Sequence, residues 1–487
     1  MALKTLLLSL TALPLATAET VLGVYIFHRH GDRSSKSLPP VNLTALGAEQ
    51  VFQSGNFYRE RYVKSDASSL IHGLSNDIAI PSQVSIVSPS DAVLQSSSLA
   101  FLQGIYPPTG SVGASVLANT SKVEAPLGGY QYIPITTSST ASTSTDAESS
   151  EWLQGGSGCG NAVVSSNNYF QSPEYISTLN ETKSFYSNLL PVISGVFSAS
   201  QATFKNAYTI FDYINVGTIH NSTIPSSDLL TNDTLKEIKT LADTHEWNLA
   251  YNESDPIRAI AGATLAAQIV QQLNSTITGK GKVPVGIQFG AYASFMSFFG
   301  LAQLHKVSAD FTGVVDYASS MVFELVTNAS TVSSASYPGA ADVSVRFLMA
   351  NGSAAQNPLT AYPLFGQSET VLPWTTFADE MNKFAVGDTA AWCTACGNTT
   401  GVCASSTSGD GSSDDGATAA STTSGNGLSL PVAGVIGALV TLVVILGVEG
   451  LVYALAGLKL VKKSTLASRA GSDAGVVGGV ATADAKA

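Results

Sequence analysis

The chain has 487 residues, of which 45% are hydrophobic and only 12% charged, and it carries a formal net charge of −12. Charge at about half the ~25% of an ordinary soluble domain leaves Ser, Thr and glycans to keep the surface wet. The acidic balance excludes a nucleic-acid partner, whose phosphates would be repelled, and the length suffices for one large domain with a sizeable core.

Residues 1–18 carry the three parts of a secretory signal: Lys4, an apolar stretch over 6–15, and the small residues Ala16-Thr17-Ala18 before Glu19. Residues 21–27 (VLGVYIF) are apolar, β-branched and aromatic, as expected of a strand buried on both faces. A glycine-containing turn follows. Residues 45–63 then show helical spacing through Leu46, Val51, Phe52 and Tyr58. Residues 84–87 read as a strand and 93–105 as a helix stopped by Pro107-Pro108. The Ser/Thr-rich tract 135–158 reads as a surface loop. From about 165 to 280 the pattern is mainly helical, clearest over 229–250 and 258–273, and strands are expected again at 283–289, 319–326 and 343–349. Strands at both ends of a helical block predict an α/β sheet domain carrying a helical insertion.

The ectodomain is expected over 19–397, followed by a stalk at 398–427 too poor in large apolar side chains to fold. Residues 430–448 contain no charge, enough to cross a ~30 Å hydrocarbon core as a helix, and apolar residues resume after Glu449 to Leu458. Lys459, Lys462, Lys463 and Arg469 follow and place the tail, 459–487, in the cytoplasm. The expected protein is thus held to a membrane, the plasma membrane first, by one helix at 430–458, with its N-terminal domain outside. Ten sequons, at Asn42, Asn119, Asn180, Asn221, Asn232, Asn252, Asn274, Asn328, Asn351 and Asn398, all fall between signal and span. Cys159, Cys393, Cys396 and Cys403 suggest two disulfides in a secreted setting, with all three pairings open. No metal-ligand spacing surrounds Cys393-x-x-Cys396.

The chemistry-bearing segment is Phe27-His28-Arg29-His30-Gly31-Asp32-Arg33-Ser34, directly after the first strand. Open α/β sheets bind ligands at strand ends. Arginine offers a rigid fork of donors for phosphate oxygens, Gly31 allows close backbone approach, and a histidine between arginines can attack phosphorus to give a phosphohistidine.

Arg29-His30-Gly31-Asp32-Arg33 matches the RHGxR signature of the histidine phosphatase superfamily, in its acid phosphatase and phytase branch. The resemblance extends through Leu43-Thr44-Ala45-Leu46-Gly47, Gly55-Asn56-Phe57-Tyr58-Arg59-Glu60-Arg61-Tyr62 and Phe101-Leu102-Gln103-Gly104-Ile105-Tyr106-Pro107-Pro108. Trp392-Cys393-Thr394-Ala395-Cys396 is similar to fungal members. It implies a mixed-sheet, phosphoglycerate-mutase-like α/β domain with a helical cap. It further implies His30 as nucleophile, Arg29 and Arg33 as phosphate ligands, a phosphorylated small molecule as substrate, and no metal or organic cofactor.

Two expected pieces are missing. The family's third arginine would fall at Ala92 or Val93, and its His-Asp pair at Ala291 and Tyr292. A positioned general acid contributes about 10²–10⁴-fold, and charge stabilisation dominates phosphoryl transfer. Asp32, Asp91 and Tyr292 are the substitute acids on offer. His245-Glu246 reads as ordinary helix surface, and His72, His220 and His305 as lone histidines without partners. Two functions therefore compete: an extracytoplasmic phosphomonoesterase working through His30, or a catalytically weak or inactive surface glycoprotein of the same fold that binds a ligand or partner.

Overall fold

The computed structural model describes residues 19–138 and 158–404. Among these, no helix is long and apolar enough to cross a membrane; the expected signal, span and tail, and most of the expected stalk, lie outside the described residues.

The strands are β1 (Thr20–Arg29), β2 (Val84–Pro89), β3 (Ser115–Val116), β4 (Lys122–Val123), β5 (Thr136–Ser138), β6 (Val285–Gly290), β7 (Ser320–Thr327), β8 (Ser344–Ala350), β9 (Thr360–Ala361) and β10 (Val371–Pro373). All but the β3–β4 hairpin join one mixed sheet in the order β10-β8-β7-β1-β6-β2-β5, with β9 on β8. β1 lies at its centre, parallel to β6 and antiparallel to β7. Its burial on both faces explains the continuous apolar run: Leu22, Tyr25 and Phe27 enter one core, Val21, Val24 and Ile26 the other. The expected strands at 84–87, 283–289, 319–326 and 343–349 are present as β2, β6, β7 and β8. The sequence reading missed β5, which opens the Ser/Thr-rich tract by pairing in parallel with β2.

The helices are α1 (Ala45–Tyr58), α2 (Ala92–Ile105), the one-turn α3 (Pro126–Gly129), α4 (Gly160–Asn168), α5 (Pro173–Glu181), α6 (Lys183–Asn188), α7 (Leu190–Ile193), α8 (Ala207–His220), α9 (Asn232–Ala250), α10 (Ile260–Thr278), α11 (Tyr292–Leu301), α12 (Trp374–Asn382) and α13 (Thr389–Cys396). The helical insertion is real, but α10 belongs to the sheet: its Leu265, Ile269 and Leu273 pack with Phe27 and Phe323. The cap has a core of its own, with Tyr186, Phe204, Ile210 and Ile238.

The face that α1 buries differs from the expected one. Leu46 and Phe52 are 43% and 38% exposed, whereas Gly47, Val51, Ser54, Gly55 and Tyr58 are buried. Glycine decides this, because a Cβ at Gly55 would sit 2.2 Å from the Phe101 carbonyl oxygen, and one at Gly104 2.2 Å from that of Phe52. α1 and α2 therefore meet backbone to backbone. At the other end Cys159 pairs with Cys396 and Cys393 with Cys403. Cys403 is buried and Asn398 bonds Gly158 and Gly160, so the fold runs past the expected boundary at 397.

Candidate active site

The motif leaves the sheet where β1, β6 and β2 end together, the parallel-strand edge at which such sheets place ligands. Register puts Arg29 opposite Gly290, so Ala291 and Tyr292 stand directly beside the motif loop. α2 begins near the end of β2, with Asp91 as its N-cap, accepting from the Val93 and Leu94 amides at 2.9 and 2.8 Å.

Gly31 also serves an approach within the chain itself. A Cβ there would lie 2.1 Å from the Gly47 carbonyl oxygen, so the missing side chain lets the loop press on the start of α1. Asp32 reinforces that contact. Its buried carboxylate accepts from the Thr44 hydroxyl at 2.5 Å and meets His220 Nε2 at 2.6 Å, while its amide donates to Gln50. Asp32 thus ties the loop to α1 and α8, Asp91 caps α2, and His220, read from sequence as lone, clasps the cap helix α8 to the loop.

Arg29, His30 and Arg33 are all buried. His30 Nδ1 lies 2.8 Å from the Gly31 carbonyl. A carbonyl only accepts, so Nδ1 carries the proton that faces it. The His30 ring lies 5.6 Å from that of Tyr317. The Arg29 guanidinium donates to the Val315 carbonyl and packs on Tyr317 and Tyr292, 4.7 and 5.4 Å from their ring centres.

Arg33 meets an anion from its own chain. Its Nη2 lies 2.8 Å from Asp212 Oδ1 and 3.3 Å from the Tyr208 hydroxyl, and its Nη1 donates to the Ser34 carbonyl. The second oxygen of Asp212 accepts from the Ser35 hydroxyl and the Lys36 amide at 2.9 and 2.8 Å. Burial by itself would lower the Arg33 pKa, but Tyr208, Asp212 and Tyr317 outweigh it and raise it. Burial pushes the Tyr208 and Tyr317 phenols up, so both stay neutral.

Tyr292 turns its hydroxyl onto Glu246 Oε2 at 2.7 Å, and Glu246 Oε1 meets His245 Nδ1 at 2.8 Å. Its ring packs at a tilt against that of Tyr208, with centres 4.7 Å apart. His245-Glu246 is therefore not ordinary surface. His245 is buried among Tyr169, Tyr175 and Phe204, and the pair fixes Tyr292. His305 packs on Trp247 and Tyr251. Sequence reasoning missed Tyr208, Asp212 and Tyr317. The first two carry a usable signal, an i, i+4 pair set among Ile210, Ile214 and Val216 on the buried face of α8.

Residues 37–349, most of the described chain, match the histidine phosphatase superfamily (branch 2). The chain belongs to that superfamily. The matched span begins just after the strand-end motif. "Lysosomal acid phosphatase" of Xenopus laevis is 25% identical over 330 residues, covering 65% of this chain and 68% of that protein. Among solved structures, the apo phytase of Hafnia alvei has a TM-score of 0.50 at 14% identity, over 79% of this chain and 99% of its own. The phytase of Klebsiella sp. ASR1 also scores 0.50, at 8% identity, over 77% and 99%. These two likenesses carry the fold alone. Among the described residues no group of three His, Cys, Asp or Glu side chains is placed to hold a metal ion.

Proposed function

We propose that this chain is a ligand-binding member of the histidine phosphatase superfamily in which phosphomonoester hydrolysis is reduced to background. The Arg33–Asp212 pair carries the reading. A phosphate dianion entering against Arg33 must expel a buried carboxylate already held by three donors, and so loses the charge stabilisation on which phosphoryl transfer depends. Ala291 brings no imidazole beside His30, and Tyr292 directs its proton to Glu246 instead of a leaving oxygen. Two disulfides and ten sequons support an extracytoplasmic setting, with the apolar run at 430–458 as anchor. A mature protein starting at Glu19 and shifting on glycosidase treatment is expected; an unprocessed, unshifted chain would overturn that setting.

One observation favours the alternative, slow hydrolysis through His30: the bond to Gly31 engages Nδ1, so attack on phosphorus falls to the ring nitrogen Nε2. The deciding assay is phosphate release from an aryl phosphate, from about pH 3 to about pH 8 to span carboxylate and imidazole titration, by the full chain and its His30→Ala variant. Equal background rates are expected. Turnover that vanishes in His30→Ala would establish the alternative.

A further inference from the structure

A cavity of about 420 Å³ opens beside the motif, between α8, α9 and the 314–317 loop. Arg29 forms part of its wall. That residue is only 4% exposed, and its Nε has no hydrogen-bond partner among the described residues. The guanidinium has the Val315 carbonyl as an acceptor but no carboxylate of its own, and a bound anion at the cavity wall would offset its buried charge. Arg33, four residues on, is already satisfied by Asp212.

The rest of the lining sets the kind of anion. Phe211, Ile214, Leu235 and Ile238 supply apolar wall, and Lys236 and Lys239 stand with Arg29 against the carboxylates of Asp212 and Asp316. With Arg33 paired to Asp212 and Lys239 paired to Asp243 at 2.9 Å, four cations stand against three carboxylates and leave room for one negative charge, not two. A dianion would face the carboxylates of Asp212 and Asp316 and lose hydration against the apolar part of the wall. A singly charged head on an apolar body gains from burying that body.

We infer that this cavity binds an apolar carboxylate through Arg29, and that Asp212 excludes phosphate dianions from the same place. The inference deepens the binding reading above by naming its ligand class.

The test is a matched pair of probes, phenylpropionate and phenyl phosphate, titrated calorimetrically into the full chain in detergent micelles, with empty micelles as blank. Running the same titrations on His30→Ala separates binding preference from hydrolysis. Turnover in the parent chain would sink the non-hydrolysing reading, whereas only the affinities decide this one. Phenylpropionate is expected to bind at least about tenfold more tightly than phenyl phosphate, the difference one charge-assisted contact makes. Arg29→Met should weaken the carboxylate by about as much. Thr218→Trp, at the exposed mouth, should do the same by filling the cavity without touching the buried pair, and it decides the matter if Arg29→Met fails to fold. Asp212→Asn should bring phenyl phosphate up to the carboxylate. Equal or tighter binding of phenyl phosphate by the parent chain, or a carboxylate affinity untouched by Thr218→Trp, would overturn the inference.

Discussion

In the loop at 31–33, side chains and backbone are tied to neighbours within the chain. Gly31 presses on Gly47, Asp32 joins Thr44 to His220, and Arg33 is paired with Asp212. Across the cleft, the positions where the family resemblance places a third arginine and a His-Asp pair carry other side chains. Ala291 offers a methyl group, Tyr292 faces Glu246, and Ala92 and Val93 open α2 where an arginine is expected. The difference teaches that a catalytic-looking motif can be fixed by packing alone. A loop whose glycine leaves no room for a Cβ against the Gly47 carbonyl, and whose arginine closes a buried ion pair, is costly to alter whatever its chemistry. The walls carry no such burden and are free to differ.

The largest effect expected comes from rebuilding the walls. Ala291→His, Tyr292→Asp and Asp212→Asn together should raise aryl phosphate hydrolysis by about 10²-fold or more, measured as initial rates of phosphate release. An unchanged rate would place the defect in the loop and break the comparison. Next is the loop's structural role. Arg33→Met leaves Asp212 buried and unpaired and should cost about 3–5 kcal/mol in urea unfolding, while Arg33→Met with Asp212→Leu should recover most of it. Equal losses in single and double variants would show that the pair is not the restraint.

A pH effect follows from His28, buried between Ser54 and the Arg29 carbonyl, where burial holds its pKa down to about 4 against an ordinary 6.5. The unfolded chain takes up this proton first, so the stability tied to a neutral His28 is complete above pH 6.5 and is lost as pH falls through about 4. Roughly 3 kcal/mol is at stake, and the slope of unfolding free energy against pH should flatten in His28→Asn. The smallest effect is Tyr292→Phe. Losing the hydroxyl that serves Glu246 should cost about 1 kcal/mol, with background hydrolysis unchanged, whereas a fall in hydrolysis would mark Tyr292 as a proton donor.

Much of the fold could be read in advance because buried strands and the helical block have strong periods. β1, β2, β6, β7 and β8 each lie within a few residues of their apolar runs. The face of α1 could not, since Gly55 and Gly104 draw two helices together and push Phe52 outward, a long-range contact with no local signal. β5 was hidden in a Ser/Thr tract because an edge strand of three residues needs no apolar face. In the site, the motif and the gaps at Ala92, Val93, Ala291 and Tyr292 stand plainly in the sequence. What fills those gaps does not. Asp212 lies 179 residues from Arg33 and Glu246 lies 46 from Tyr292, and only the docking of cap on sheet brings each pair together.

The most direct test is whether His30 ever carries a phosphoryl group. The full chain would be mixed with a radiolabelled aryl phosphate, quenched rapidly under conditions that preserve phosphohistidine, and digested for peptide mapping. No label on the His30 peptide is expected, at any mixing time. Label approaching one phosphoryl group per chain, absent in His30→Ala, would contradict the account and show that Arg33 yields to phosphate after all.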